Sequence, residues 1–394
     1  MATKISFNIN TKELSVIVSL CNQLSPKRNE VELFTFTKID IQNGSLKLSA
    51  TNGTVFYSSS LNLAGEIETP FSFLIKTDAL SNIINLMNDE NLDLSVDIDK
   101  LTLVVKGSKS KNQLRIMVDG VNDYILPQSS NDKVEVRTQV KVSDLIEANK
   151  AAFISVGLPK NLFQSEFHNI CYTVVPEEKK LLVVSTDRFR ITKNTLDVDY
   201  MFVADKIESE GRHNYLINPT SLKLLSSSLD PKQELVEIAF EDEMVYFTVG
   251  KSTMISSRYG SGTYADYERI IPQSFACSMS LSTSEITTAL KQVLWCVRND
   301  ISKSVNLSVD SPNKVITFST RNSDGDMAQY EVSVEDYEGS EETWSQSFNA
   351  DFLLDYLNIL KTDNFLWESN PSKPAVLSPK DSKNKQFYLC SSLK

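Results

Sequence analysis

The sequence predicts an α+β protein made of three repeats of one domain, each with antiparallel sheets and two helices. Three observations predict it. Candidate helix caps at Thr11, Ser143 and Ser282 (or Ser284) each open an amphipathic segment, roughly 130–140 residues apart. Second helical segments recur near residues 77, 219 and 350 at similar spacing. Between the helices lie short alternating runs joined by tight turns such as Asn43-Gly44 and Asn52-Gly53. Strands joined by hairpins pair antiparallel, and a few helices among many strands cover one face of the sheet.

Composition sets the class. The chain has 394 residues, 41% hydrophobic and 23% charged, with 12 Gly and 12 Pro. That is the profile of a globular protein too long for a single core. No window approaches the ~18 consecutive apolar residues of a membrane span, and residues 1–7 lack the apolar core of a secretion signal. A cytoplasmic location without membrane partners is therefore expected. Cys21, Cys171, Cys277, Cys296 and Cys390 stand far apart with no CxxC pair, so neither a disulfide framework nor a zinc knuckle is indicated. His168 and His213 are isolated, and Gly-rich phosphate loops, HExxH and GxSxG are all missing. The expectation is a protein that is not an enzyme and uses no metal or cofactor. A net charge of −11 argues against gripping nucleic acid over the whole surface, but it permits a local basic face.

Taken in order, residues 1–130 open with a short strand through Ile5, Phe7 and Ile9. Thr11 then caps a helix over 12–24, stopped before Pro26, with Leu14, Ile17, Val18 and Cys21 on its apolar stripe. Strands follow at 34–41, 45–51 and 55–61, a second helix at 77–87, and strands at 92–98, 101–106 and 113–118. The polar run Gln128-Ser129-Ser130-Asn131-Asp132-Lys133 marks a boundary. Residues 136–273 repeat the order: a helix from Val142, with Leu145, Ala148, Ala152, Phe153 and Val156 inward and Glu147, Lys150 and Ile154 outward; strands at 169–175 and 180–185; a helix at 219–229; strands at 235–240 and 244–249. Residues 277–394 repeat it again, with a helix ending at Val297, strands between 305 and 334, a helix at 350–360 and strands at 364–368, 374–378 and 386–390. On the third repeat's first helix, Ile286, Leu290, Val293 and Val297 form the core stripe. Thr288, Lys291 and Trp295 then face the other way.

The stretch Leu181-Leu182-Val183-Val184-Ser185-Thr186-Asp187-Arg188-Phe189-Arg190-Ile191-Thr192 reads as strand, tight bend, strand. An aromatic between two guanidinium groups on such a bend is a contact surface, because Phe supplies apolar area and Arg directional donors. Together with Tyr264-Ala265-Asp266-Tyr267-Glu268-Arg269-Ile270-Ile271-Pro272, the helix start Phe348-Asn349-Ala350-Asp351-Phe352-Leu353-Leu354-Asp355-Tyr356-Leu357, and Lys373-Pro374-Ala375-Val376-Leu377, it resembles the bacterial sliding clamps, the beta subunits of DNA polymerase III. The usual clamp patterns are a Thr-Asp-Gly-His-Arg-Leu bend, a Tyr-Pro-Asp-Tyr-x-Arg-x-Ile-Pro segment, a Phe-Asn-x-x-Tyr-Leu-x-Asp-x-Leu helix start and a closing Met-Pro. Here Arg188-Phe189 replaces Gly-His, Ala265 replaces Pro and Ser391-Ser392 replaces Met-Pro, so the chain reads as a divergent member.

The resemblance implies three DNA-clamp domains per chain (1–130, 136–273 and 277–394), with sheets outside and two helices from each lining a central hole. Two chains would close head to tail as a ring around double-stranded DNA, without sequence preference. It also implies a peptide pocket between the second and third domains, walled by Thr186, Arg188, Phe189, Arg190, Ile191, Ala265, Arg269, Ile270, Pro374, Leu389, Ser391, Ser392 and Leu393. This pocket would receive Gln-Leu-x-Leu-Phe-like segments from a replicative polymerase, an ATP-dependent clamp loader and other proteins. Lys12, Lys27, Arg28, Lys150 and Lys291 are expected to face DNA, and Asn112, Leu114, Trp295 and Cys296 to lie at the dimer junction. The other reading is an interaction scaffold that shares the fold without encircling DNA.

Overall fold

The computed structural model describes residues 4–63, 70–159, 164–198, 200–207, 211–230, 232–334, 336–339, 343–381 and 385–393. Six α-helices occur among them: α1 (Thr11–Leu24), α2 (Thr77–Ile84), α3 (Val142–Ser155), α4 (Pro219–Ser228), α5 (Thr283–Leu294) and α6 (Ala350–Leu357). The chain folds into two compact units. One comprises Met1–Ser143, Asp199–Ser209 and Ile217–Tyr259, and the other Asp144–Val198, Glu210–Leu216 and Gly260–Lys394. The middle third of the chain thus contributes to both.

In the first unit, α1 buries Leu14, Ile17, Val18, Cys21 and Leu24, the stripe its 3.6-residue spacing implies. Its cap is Asn10, not Thr11. The Asn10 side-chain oxygen accepts from the backbone N–H of Lys12 and Glu13 at 3.0 and 3.2 Å, leaving Thr11 as the first helical residue. α2 stops at Ile84 rather than 87, and beyond it Leu86 is exposed. A nine-stranded sheet runs in the order 200–203, 134–141, 235–241, 244–249, 253–258, 55–62, 45–51, 36–42, 71–76. Its middle seam pairs Thr253 with Ser59, where the two hydroxyls lie 2.7 Å apart across 194 residues of sequence. A four-stranded sheet (4–10, 91–97, 102–106, 111–115) has Lys111–Arg115 at one edge.

The second unit repeats the plan. A nine-stranded sheet orders 213–217, 170–175, 180–186, 190–197, 386–390, 375–379, 364–369, 277–282, 336–339, and a four-stranded sheet orders 327–333, 315–321, 304–310, 343–349. α5, capped by Ser282, buries Ile286, Leu290 and Val293 against Phe318, Phe348 and Trp367, and α6 adds Leu353, Tyr356 and Leu357. The α-helical part of α5 ends at Leu294, and a single 3₁₀ turn carries the chain through Trp295–Val297. α3 begins at Val142, so Ser143 lies inside its first turn instead of capping it. α6 ends at Leu357 rather than 360.

The strands Phe71–Lys76, Val134–Lys141, Tyr200–Val203, His213–Ile217, Thr253–Arg258, Asp336–Gly339 and Thr343–Asn349 have no counterpart in the sequence expectation. Val134–Lys141 is the instructive one. Its side chains alternate buried and half-buried from Val134 to Gln139, directly after the polar run that reads as a boundary.

Candidate functional site

The bend between the strands Lys180–Thr186 and Arg190–Asp197 is fixed by its own side chains. Thr186 Oγ1 donates to the Arg190 carbonyl at 2.7 Å and accepts from the Arg188 N–H at 3.0 Å. Asp187 Oδ1 accepts from the N–H groups of Phe189 and Arg190 at 3.0 and 3.1 Å, an Asx turn. Arg188 sits at φ +78°, in the left-handed region, at the position where the clamp pattern has glycine. Phe189 is thereby pushed outward and is 57% exposed.

Arg190 is the hub. Its Nε donates to Asp187 Oδ2 at 3.0 Å and its Nη1 to Asp355 Oδ2 of α6 at 2.6 Å, while the guanidinium lies 4.2 Å from the centre of the Phe352 ring. Burial works against the Arg190 charge, but the Tyr388 phenol, Asp355 and Asp187 outweigh it, and the group stays charged. Below it, Tyr388 donates to the Phe352 carbonyl at 2.8 Å and stacks on Tyr356 at 4.6 Å; burial holds the Tyr388 hydroxyl well above its ordinary value. Asn349 caps α6 by accepting from the Phe352 N–H at 3.1 Å, which sets the helix that presents Phe352 and Asp355.

These groups border a cleft of about 510 Å³, lined by Asp187, Phe189, Arg190, Phe352 and Asp355 on one side and by Phe153, Ile154, Val156 and Leu158 from the end of α3 on the other. The rings of Phe189 and Phe352 lie 6.4 Å apart at 35°. An apolar cleft with rigid aromatic walls and a locked guanidinium can hold the apolar side chains of an extended peptide. Among the described residues, no cluster of three or more His, Cys, Asp or Glu suits a metal.

Strand register brings most of the expected wall together. Arg190 pairs with Cys390 and Ile191 with Leu389; Ala375, next to Pro374, pairs with Cys390 in turn; and the Ser391 N–H donates to the Phe189 carbonyl at 2.9 Å. Ser391, Ser392 and Leu393 are half-buried, and the Leu393 N–H donates to the Ser347 carbonyl at 2.8 Å. The alternation of the sheet then divides the set. Ile191 and Leu389 point to the face that packs on Tyr264 and Tyr267, while Arg190, Tyr388 and Cys390 point to α6. Ala265, Arg269 and Ile270 are exposed outside the cleft lining, with Arg269 bonded to Asp266 at 2.7 Å.

Sequence reasoning missed the contribution of α3 and placed Ile154 outward. The apolar run Phe153-Ile154, with Val156 and Leu158 just beyond, breaks the helical stripe, and that break was the available signal.

The remaining expected residues are distributed as follows. Lys12, Lys27 and Arg28 are exposed at the two ends of α1, in the first unit. Lys150 on α3 and Lys291 on α5 are exposed in the second. Asn112 and Leu114 are half-buried on the edge strand Lys111–Arg115. Trp295 is 60% exposed, whereas Cys296 is only 6% exposed and donates to the Asp326 carbonyl, so it offers a partner almost no side-chain surface.

Two family models match the chain: the DNA polymerase III beta subunit N-terminal domain over residues 5–127 and its C-terminal domain over 268–390, together well over half its length. The chain belongs to the DNA polymerase III beta-subunit family. Its similarity to the beta sliding clamp of Rickettsia felis is 23% identity over 390 residues, covering 95% of this chain and 96% of that one. The beta sliding clamp of Staphylococcus aureus is 23% identical over 371 residues, covering 91% and 90%. The fold is that of the DNA polymerase sliding clamp from Bacillus subtilis (TM-score 0.86, 19% identity, 99% of both chains) and of the DNA polymerase III beta subunit from Pseudomonas aeruginosa (TM-score 0.86, 18% identity, 99% and 100%). Low identity with full coverage marks a divergent beta subunit.

Proposed function

We propose that this beta-subunit family member is a DNA sliding clamp, a processivity factor that makes and breaks no bonds itself. Two chains, each carrying clamp domains at 1–130, 136–273 and 277–394, close head to tail around duplex DNA. They tether a replicative polymerase and other partners through the cleft beside Phe189. Tethering keeps the polymerase at a high local concentration near the primer end, so each dissociation is followed by recapture. The observation that carries the reading is the clamp fold over 99% of the chain.

The cleft supports the tethering role, since its aromatic walls and the Arg190 lock suit the apolar anchors of a short peptide. The four-stranded sheets support dimerisation. Each ends in an unpaired edge, Lys111–Arg115 in one and Met327–Ser333 in the other, and exposed Trp295 and Met327 lie beside the second. Lys12, Lys27, Arg28, Lys150 and Lys291 would contact phosphate without reading sequence, a salt-sensitive interaction carried by individual side chains on a chain whose net charge is −11. ATP would be consumed by a separate loader. Among the described residues, no helix is long and apolar enough to cross a membrane; with DNA as its ligand, we place the protein in the cytoplasm.

Loading onto nicked circular DNA tests the ring. The protein should stay on circles through gel filtration and fall off when the circle is cut. A complex as durable on linear DNA favours the non-encircling scaffold. A fluorescent Gln-Leu-Ser-Leu-Phe peptide, titrated by polarisation beside Phe189→Ala and Arg190→Ala, tests the cleft. Saturable binding lost in both variants supports it, and no binding by a folded dimer means a different partner motif.

A further inference from the structure

Arg188 stands at the rim of the Phe189 cleft, next in sequence to the ring that forms one wall. Its side chain is exposed, and its Nη1 donates to Gln164 Oε1 at 3.2 Å. That acceptor is neutral, so it orients the guanidinium without cancelling its charge. Among the described residues, Arg188 forms no ion pair. The carboxylates of the bend and of α6 are already committed: Asp187 accepts from two backbone N–H groups and from Arg190, Asp355 accepts from Arg190, and Asp351 pairs with Lys303. Arg190, two residues on, is the contrast, a guanidinium with only 12% of its side chain exposed and held between two carboxylates.

The backbone supplies an independent observation. Arg188 lies at φ +78°, a conformation that glycine adopts freely and that strains a residue with a Cβ. The bend gains no hydrogen bond from the Arg188 side chain, since the Thr186 hydroxyl and the Asp187 carboxylate close it. Backbone strain that does nothing for the local fold gathers where ligands are held. A guanidinium presents five N–H donors in a planar fork that matches a carboxylate with two parallel bonds, and the contact with Gln164 uses one of the five.

Position then decides where that carboxylate belongs. Phe153, Ile154, Val156, Leu158, Phe189 and Phe352 give the cleft apolar walls, and Arg188 lies outside the lining. The acidic group is therefore beside the apolar anchors of a bound segment and is not itself an anchor. We propose that Arg188 is a specificity-determining residue that pairs with an acidic side chain flanking those anchors. This rests on the reading of the cleft as a peptide-docking site, and it narrows the partners to those with an acidic residue next to the apolar motif.

The test uses labelled Gln-Leu-Ser-Leu-Phe peptides, acetylated and amidated, extended at one end or the other by glutamate, glutamine or lysine, and titrated by polarisation onto the full-length protein. The readout is the ratio of dissociation constants for the glutamine and glutamate forms at the same end, which cancels any general change in the cleft. The parent protein should favour glutamate at one end by about three- to fivefold at low salt. Raising salt to ~0.5 M should bring that preference below about twofold. Arg188→Gln, which keeps a Cβ in the same backbone conformation, should abolish the preference, and Arg188→Glu should transfer it to lysine at that end. Phe189→Ala should weaken every peptide. Equal binding of glutamate and glutamine forms at both ends, or a preference that survives Arg188→Gln, would overturn the proposal and leave the cleft reading in place. A folded protein that binds none of the peptides overturns the cleft reading and the proposal with it.

Discussion

Arg190→Lys separates the shape of the Arg190 hub from its charge. Lysine keeps the positive charge but offers one compact ammonium, which cannot reach Asp187 and Asp355 together from the positions that the guanidinium fork occupies at 3.0 and 2.6 Å. One charge-assisted hydrogen bond is lost, worth about 1.5–3 kcal/mol in general. The Asp355 side chain is 46% exposed, so water screens that arm and the lower end of the range applies. Losing the guanidinium face over Phe352 adds about 0.5–1 kcal/mol. The sum, about 2 kcal/mol, is the cost of leaving bend and helix to be ordered by the incoming peptide, and corresponds to roughly a 30-fold loss of cleft affinity. Polarisation titration of a labelled clamp-motif peptide measures it, and hydrogen exchange of the 187–191 amides should rise in the free protein. If Arg190→Lys and Arg190→Ala both bind within about twofold of the parent, the hub does not organise the cleft and the argument fails.

Other outcomes follow from the same structure. Arg188→Gly should stabilise the protein by about 0.5 kcal/mol, because relief of a left-handed non-glycine residue, about 1–2 kcal/mol, exceeds the entropic cost of glycine; a lower melting temperature would contradict this. Trp295→Ala should weaken dimerisation by at least about tenfold while leaving the monomer's melting temperature unchanged, since the ring is 60% exposed in one chain; sedimentation should then show more of the 44.3 kDa species. Burial pushes the thiols of Cys21, Cys171 and Cys390 from 9.0 up to about 12. The folded state therefore holds protons that the unfolded chain releases. Their contribution is complete below pH 9 and is lost as pH climbs towards 12, at up to about 1.4 kcal/mol per pH unit for each thiol. Melting temperatures that stay flat from pH 9 to 11 would exclude this coupling.

Helices were the most legible part of the sequence, because an apolar stripe at 3.6-residue spacing is a local signal. Leu14, Ile17, Val18 and Cys21 are buried as that spacing implies, as are Ile286, Leu290, Val293 and Val297. The strand Val134–Lys141 carries a local signal, since Val134, Val136, Thr138 and Val140 alternate with Glu135, Arg137 and Gln139, but the polar run before it reads as a boundary and masks that signal. Its place in the sheet is set by pairing with Leu235–Glu241, a hundred residues on, which no local window contains. The cleft divides in the same way. The bend at 186–190 announced itself through Thr186 and Asp187, whose side chains close the turn locally. Its opposite wall of Phe153, Ile154, Val156 and Leu158 is a wall only because α6 comes back beside it. Ala265, Arg269 and Ile270 were grouped with the cleft by motif, yet they sit on a loop and a 3₁₀ turn (Tyr267–Ile270) whose Tyr264 and Tyr267 pack on Ile191 and Leu389, the sheet face that points away from α6.

The pairing of Arg190 with Cys390 also has a consequence for synthesis. The strand Arg190–Asp197 leaves the ribosome about two hundred residues before the strand that fills its open edge. At ~5–20 residues per second, that edge waits on the order of 10–40 s with its N–H and C=O groups unpaired and its apolar face uncovered. Throughout that interval the nascent chain is a substrate for chaperones and for aggregation. A clamp with an intact Phe189 cleft is by construction one whose C-terminal strand has already been made and inserted.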